Sequence, residues 1–291
     1  MTLEEIINCP ICQGTIFTTL QACKDYTSSG ELFPVKQCIG CSFVFTSPRP
    51  TESGAGHYYK SSHYISHQTA AKSVFDRIYL LVRSFTLRWK YSLIRPYAVG
   101  TLLDVGCGTG SFLKYCQQKG IQVVGVEPSD ARNSIAGITT YKSLIEAPKD
   151  KYAVITLWHV LEHIYSLNET IQQLLTILAD NGTIFIAVPN RLSKDAKVYG
   201  KEWAAWDVPR HIWHFSEENM KSLLHQNGLR VQETIPMKLD AFYVTLLSEQ
   251  YLSSGKTTIT GVLRAAYNAF ASNLSARRTG QYSSLIYRIT R

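Results

Sequence analysis

With 291 residues the chain is long enough to bury a full core, and 45% hydrophobic against 18% charged residues is a globular balance, which excludes a disordered or fibrous chain. No apolar run reaches the roughly 18 residues of a spanning helix, and the opening MTLEEIINCP lacks the basic and apolar stretches of a secretion signal, so a cytoplasmic location without a transmembrane segment is expected. The formal net charge of +8 is uneven, with seven basic residues against one acid from Lys60 to Arg95 and six against two from Asp240 to Arg291, which suits an anionic partner or simply a solvated basic face.

The first predicted element is a cysteine module. Cys9 and Cys12 stand in CPIC, Cys38 and Cys41 in CIGC, and each C-x-x-C turn offers a pair of thiolates. Such pairs suit tetrahedral Zn2+, whereas a reducing compartment disfavours disulfides and a redox C-x-x-C needs no second pair. Four cysteine ligands leave no open position, so the metal is expected to hold structure rather than do chemistry. GTIFTTL, LFPVKQC and CSFVFTSPRP read as short strands of a zinc-ribbon-like unit over 1–50, closed at Pro48 and Pro50, with Cys23 as a small core residue.

A helical connector follows over 51–97. Val74, Phe75, Ile78, Leu81, Val82, Phe85 and Trp89 recur at helical spacing among Arg77, Arg83, Arg88 and Lys90. This reads as a helix packed on the next domain, with a basic membrane-surface helix as the alternative. The preceding GHYYKSSHYISH reads as a loop that closes over a cofactor, or as a plain surface loop.

From Thr101 the pattern is strand, glycine turn, helix, strand: Thr101 to Val105, Gly106 to Gly110, Ser111 to Lys119 with Gly120 as C-cap, then Gln122 to Val126. Apolar strands alternating with helices predict a parallel sheet covered on both faces, with the ligand beyond the carboxyl ends of the strands. No lysine follows Gly110 as a triphosphate loop requires, and Ser111 stands where a dinucleotide fingerprint needs its third glycine. Asp104 would face a pyrophosphate badly and an ammonium well, and Glu127 is placed to accept from two ribose hydroxyls. An acid, a glycine turn and a second acid one strand later fit S-adenosylmethionine (SAM).

LLDVGCGTGSFL, VVGVEPS and YAVITLWHVLEHI resemble the first, second and fourth strand motifs of the class I SAM-dependent methyltransferases. GTIFIAVPN is similar to their fifth strand, HFSEENMKSLLHQNGL to the next helix and YSSLIYRIT to the final strand. The resemblance implies an α/β fold over 98–291: a Rossmann-like sheet, mostly parallel with an antiparallel last strand, carrying a helical insertion at about 240–281. In the insertion Tyr243, Leu246, Leu247 and Tyr251, and then Ile259, Val262, Leu263, Ala266, Tyr267 and Phe270, recur at helical spacing. Residue by residue, the resemblance assigns Asp104, Gly106 and Gly108 to the methionine end, Glu127 to the ribose, Leu144 to adenine, and Leu157 and Trp158 to the cofactor wall.

Candidates for the acceptor side follow the fourth and fifth strands. His159, Glu162 and His163 lie together after the fourth; either they do chemistry or they brace the turn. After the fifth, YGKEWAAWDVPRHIWHFS crowds Trp203, Trp206, His211, Trp213 and His214 into one loop, read either as walls of an acceptor pocket or as packing of the insert. His211, with His163 and His159, is a candidate general base, and Trp203, Trp206 and His214 are candidate substrate contacts. No carboxylate cluster is legible there, so metal-dependent catalysis is not expected.

The resemblance implies methyl transfer to a small-molecule acceptor, O-methylation of a sugar, quinol or lipid-linked or phosphorylated metabolite. A basic chain with a zinc module is also similar to rRNA methyltransferases, so RNA methylation is the alternative; the Asn/Asp-Pro-Pro-aromatic turn of base amino-group methylation is absent from TLWHV. A SAM-binding protein without turnover is the second alternative. The sequence carries no signature of a particular oligomer.

Overall fold

The structure, a computed structural model, describes residues 2–59, 74–149 and 151–291, with side chains of the helix that opens at Val74 described from residue 84 onward. Most of GHYYKSSHYISH, and the side chains of Val74, Phe75, Arg77, Ile78, Leu81, Val82 and Arg83, lie outside the described residues.

The N-terminal module contains β1 (Leu3–Glu4), β2 (Phe17–Lys24), β3 (Leu32–Cys38), β4 (Val44–Thr46) and β5 (Arg49–Pro50), followed by the short α1 (Glu52–Ala55) and by α2 (Val74–Ile94). The rest of the chain runs β6 (Leu102–Val105), α3 (Ser111–Gln118), β7 (Val123–Val126), β8 (Thr140–Tyr141), β9 (Tyr152–Trp158), α4 (Leu167–Ile177) and β10 (Leu178–Pro189). It continues as α5 (Lys194–Tyr199), β11 (Trp213–His214), α6 (Glu217–Gln226), β12 (Arg230–Pro236), α7 (Asp240–Leu252), α8 (Ile259–Thr279) and β13 (Ser284–Thr290).

The main sheet has the order β12-β13-β10-β9-β6-β7-β8. All neighbours are parallel except that β13 runs antiparallel to both β10 and β12. β6 lies between β9 and β7, with Asp104 level with Gly125 of β7 and Thr156 of β9. Its four residues are all buried, as a strand covered on both faces requires. The order reverses at β6, so the crevice lies beyond the ends of β6, β7 and β9, where both acids of the sequence analysis emerge.

Two faces alternate along each strand. Leu103, Val105, Ile155 and Leu157 join the core under α4 with Ile171 and Leu174. Leu102, Val154 and Phe185 join the other core, with Phe112, Leu113 and Cys116 of α3 and Ile94 of α2, against which Leu87, Trp89 and Trp158 pack. The turn after β6 requires glycine at Gly106: φ is +69°, and a Cβ would stand 2.4 Å from Val160 Cγ2.

The cysteine module is stitched into the rest. Its sheet has the order β11-β4-β3-β2, so its fourth strand comes from the loop after β10, pairing Trp213 with Phe45 and His214 with Val44. Phe43 and Phe45 pack on Trp213 and, with Cys9 and Cys38, belong to the same core as β9 and β10.

The insertion forms two helices, as the helical spacing of its apolar residues predicts. α7 buries Ala241, Val244, Thr245, Ser248 and Glu249, and α8 buries Gly261, Ala265, Ala269, Ser272 and Ala276. Small residues let the two backbones approach closely, and Thr245 Oγ1 donates to the carbonyl of Ala265 at 3.0 Å. Ile259, Leu263, Tyr267 and Phe270, which recur at helical spacing, point outward. No described helix is long and apolar enough to cross a membrane.

Candidate active site

Asp104, 3% exposed, ends β6 and accepts a hydrogen bond from Thr156 Oγ1 at 2.5 Å. Burial pushes its carboxyl up to about 7, offset in part by the Thr156 hydrogen bond and by Lys90. Glu127, just past β7, accepts from Gly108 N at 2.8 Å through Oε2 and from Ser129 N at 2.9 Å through Oε1. That fixes the carboxylate plane and ties the glycine turn to the second strand. Two of its four lone-pair positions remain for a ligand. Trp158, on the same face as Thr156, packs edge-on against Phe112. Leu144 is half-buried against the α4-side core.

Two residues at this end escaped the sequence analysis. Lys90 of α2 places Nζ 4.5 Å from the centroid of Trp158, between the charges of Asp104 and Asp240. Burial lowers its pKa, opposed by those two carboxylates. The signal was there: Lys90 occupies the apolar face of Leu87, Tyr91 and Ile94, where a lysine is out of place. Asp240, the first residue of α7, had no local signal at all. It binds His159 Nε2 through Oδ2 at 3.0 Å, a contact made only by the fold.

His159 follows β9 in the left-handed region at φ +57°. Its Nδ1 lies 3.3 Å from Glu162 Oε1, so the ring is held between two carboxylates. Burial opposes its charge, yet Asp240 and Glu162 raise its pKa to about 9. The two carboxylates thus favour its protonated form.

His163 and His211 stand differently. Their ring centroids are 4.6 Å apart, and each places Nδ1 2.9 Å from a carbonyl, of Arg210 and Ala205 respectively. Tyr59 Oη also reaches His163 Nδ1 at 3.0 Å. Burial, and then His211, push His163 down to about 4, so it is neutral and its second nitrogen carries a lone pair. Glu162 is fully buried, and its Oε2 has no hydrogen-bond partner among the described residues. Burial opposes its ionisation, but His159 above all holds it below the usual range. One atom from each of Glu162, His163 and His211 lies within 4.8 Å of the others, a donor set able to hold a divalent cation. A ring N–H tied to a carbonyl is the outer-sphere arrangement that ligating histidines carry. No reading of the sequence assembled this set, because His211 arrives from a loop 48 residues on.

The loop after β10 is otherwise not a pocket wall. Trp203, 2% exposed, donates from Nε1 to Asp195 Oδ2 at 2.8 Å, and Trp206 donates to the carbonyl of Gly200 at 2.7 Å. His214 Nε2 meets Thr46 Oγ1 at 3.0 Å, and burial depresses its basicity strongly. Trp203 and Trp206 form a core with Cys23, Phe33, Val35 and Tyr58 that clamps the cysteine module on, with His214 stacked edge-on against Trp206. Their polar groups are satisfied inside the protein, so the substrate contacts expected at Trp203, Trp206 and His214 are corrected to docking contacts. Leu157 is corrected likewise: alternation turns it into the core under α4, away from Trp158.

In the cysteine module, Cys9 and Cys41 Sγ are 3.5 Å apart and Cys12 and Cys38 Sγ 3.4 Å. All four sulfurs lie within 4.8 Å of one another. A disulfide would need about 2.05 Å, whereas four thiolates at about 2.3 Å from one ion stand roughly 3.8 Å apart. Gly14, after the first knuckle, and Gly40, inside the second, close the cradle, since a Cβ at either would sit 3.3 Å from Cys12 Sγ.

A family model described as a methyltransferase domain matches residues 76–234, more than half of the chain. Among curated proteins, the mitochondrial ubiquinone biosynthesis O-methyltransferase of Homo sapiens is 26% identical over 170 residues, covering 51% of this chain and 46% of that protein. The corresponding enzyme of Bradyrhizobium diazoefficiens is 24% identical over 149 residues, covering 45% and 59%. The chain thus spans about half the length of the curated relatives it matches. Among solved structures, a mycolic acid cyclopropane synthase overlays with a TM-score of 0.49 at 14% identity, covering 69% of this chain and 83% of that one. A magnesium protoporphyrin IX methyltransferase from Synechocystis overlays at 0.48 and 15%, covering 77% and 90%. On the extent of the family match the chain belongs to the methyltransferase-domain family, and its sheet order and glycine turn make it a class I, SAM-dependent member.

Proposed function

We propose that the chain transfers the SAM methyl group to a hydroxyl of a small-molecule acceptor, with one structural zinc in the four-cysteine module. The observation that carries this is that two differently equipped ends meet at one sheet edge: the acids Asp104 and Glu127, and the Glu162, His163 and His211 set. Asp104 takes the cofactor's ammonium, Lys90 its carboxylate and Glu127 its ribose. SAM brings its own activated methyl, so the chain's task is alignment of the acceptor oxygen and disposal of its proton. Glu162, His163 and His211 would do that by accepting the proton directly or by holding a divalent cation against the hydroxyl. The matched relatives named as ubiquinone O-methyltransferases support oxygen as the methylated atom.

The test is transfer of labelled methyl from SAM to a lysate divided into RNA, lipid and small-metabolite fractions. Label in the metabolite or lipid fraction, insensitive to ribonuclease, is the expected result. Label in RNA, or none in any fraction despite SAM binding, overturns it.

Asp104 makes the cofactor end pH-dependent. Its pKa is raised from 3.8 to about 7, so acid protonates it and the cofactor-free fold loses stability from this group as pH rises from about 4 through 7. Ammonium binding needs the ionised form. Affinity for S-adenosylhomocysteine should therefore fall roughly fifteenfold from pH 7 to 5.5, and decline again above about 8 as the cofactor's amine deprotonates. Isothermal titration calorimetry across that range checks it; Asp104→Asn should bind weakly and without the acid limb. An unchanged acid limb in that variant would remove Asp104 from the ammonium site.

A further inference from the structure

α8 turns its largest apolar side chains away from the protein. Ile259, Leu263, Tyr267, Phe270 and Leu274 recur every third or fourth residue and are between 53% and 83% exposed. The stripe runs about 22 Å along the helix. Leu239 and Phe242, at the start of α7, are 40% and 41% exposed and extend it sideways, since Asn273 of α8 donates to the carbonyl of Lys238 at 2.9 Å. The helix cannot roll this face inward, because its other face is buried at Ala265, Ala269, Ser272 and Ala276, with Ala265 held by Thr245 of α7 and Ser272 bonded to Asp195 of α5 at 2.6 Å. Continuous apolar surface of this kind is rare on a freely solvated protein.

The charge around it has one sign. Between Gln250 and Arg291 there are six basic residues and no acid. Arg264 pairs with Glu249, Arg288 with Glu233, and Arg291 is bound to the carbonyls of Leu175 and Leu178. That leaves Lys256 before the stripe and Arg277 and Arg278 after it, exposed and without an ion pair among the described residues. We propose that this face seats the protein on an anionic lipid bilayer, α8 lying in the interfacial plane with its stripe immersed and Lys256, Arg277 and Arg278 at headgroup level. A second copy of the chain is the poorer occupant, since a two-fold contact would set Arg277 and Arg278 against cations of the other copy, its Lys256 if the helices run antiparallel and its Arg277 and Arg278 if they run parallel.

The seat adjoins the acceptor side. Asp240, between Leu239 and Ala241, binds His159, so the turn after β9 lies one helix end from the bilayer face. Resting on the methyl-transfer reading, this makes the acceptor an amphiphile that reaches the site from the membrane without leaving it.

Vesicle flotation tests the seat without using activity. Full-length protein should float with vesicles of phosphatidylcholine containing about 30% phosphatidylglycerol, at least tenfold more than with phosphatidylcholine alone, and less in high salt. Leu263→Glu, Tyr267→Glu and Phe270→Glu combined should abolish flotation, and Arg277→Gln with Arg278→Gln should remove the preference for anionic lipid. All five side chains are exposed, so melting temperature and S-adenosylhomocysteine affinity should stay at the parent values. No flotation, or flotation that the glutamates do not change, overturns the proposal. So does a dimer in analytical ultracentrifugation that the glutamates dissociate, which would give the face to a second copy.

Discussion

Cys38→Ser should lose most of the roughly one zinc per chain that mass spectrometry is expected to find in the parent, and with it most methyl transfer. Removing one of four ligands breaks a closed tetrahedral site, whose binding energy is folding energy for the segment around it. A loss of about 4 kcal/mol, at 2–4 °C per kcal/mol for a chain of this size, predicts a melting temperature roughly 10 °C lower. The larger consequence is positional. β3 ends in Cys38, β3 holds β4, and β4 holds the segment that carries His211: Thr46 N donates to the carbonyl of Ile212 at 3.0 Å and Thr46 Oγ1 to that of His211 at 3.0 Å. Arg210 reaches from the same loop to Asp25 at 3.2 Å and to Thr27 of the module. Loosening the module should displace His211 from Glu162 and His163 while leaving β6 and β7 untouched. Transfer should therefore fall far more than S-adenosylhomocysteine affinity, which should stay within about threefold. Chelator-driven zinc release from the parent gives the same split without a substitution. A variant that keeps full transfer, or a parent that contains no zinc, would reduce the cysteines to a reduced thiol cluster with no coupling to the site.

The part of this molecule legible in its sequence is the part built by local rules. LLDVGCGTGSFL fixes strand, turn and helix within twelve residues, because φ above zero at Gly106 and Gly110 and the acid near the strand end are all local demands. Ser216, standing before EENMKSLL, is a local N-cap signal, and its Oγ accepts from Asn219 N at 3.2 Å. The two C-x-x-C knuckles needed only their own spacing and each other. What periodicity could not show is the occupant of an apolar or aromatic face. Trp203 and Trp206 are aromatic because a second module docks there, and the stripe of α8 is apolar although none of the described residues covers it. Composition is the same in both cases, and only the neighbours differ. The acceptor-side set failed for a related reason: Glu162 and His163 come from the turn after β9, but His211 comes from the loop after β10, and Asp240, which holds His159, from the start of α7. Contacts of that range leave no mark on local spacing.

Glu127→Ala should weaken S-adenosylhomocysteine binding at least a hundredfold and leave the fold in place. The carboxylate spends two lone-pair positions on Gly108 N and Ser129 N, and its remaining two are those a ribose diol would meet. Hydrogen bonds to a charged acceptor contribute about 1.5–3 kcal/mol each, so losing two costs about 3–6 kcal/mol, and 1.4 kcal/mol is a factor of ten. The freed amides of Gly108 and Ser129 lie at the crevice, where water can replace the carboxylate, so melting temperature should move by only a few degrees. Glu127→Gln sharpens the test. It keeps the shape, but one of its two ends becomes an NH2, which must face either an amide N–H or the ribose as a second donor. It should bind about tenfold more weakly than the parent and about tenfold more tightly than the alanine variant. A structural role alone would show the reverse ordering of effects, with stability falling and affinity following it. Calorimetric affinity and thermal unfolding on both variants separate the two, and equal affinity in parent and alanine variant would take the ribose away from Glu127.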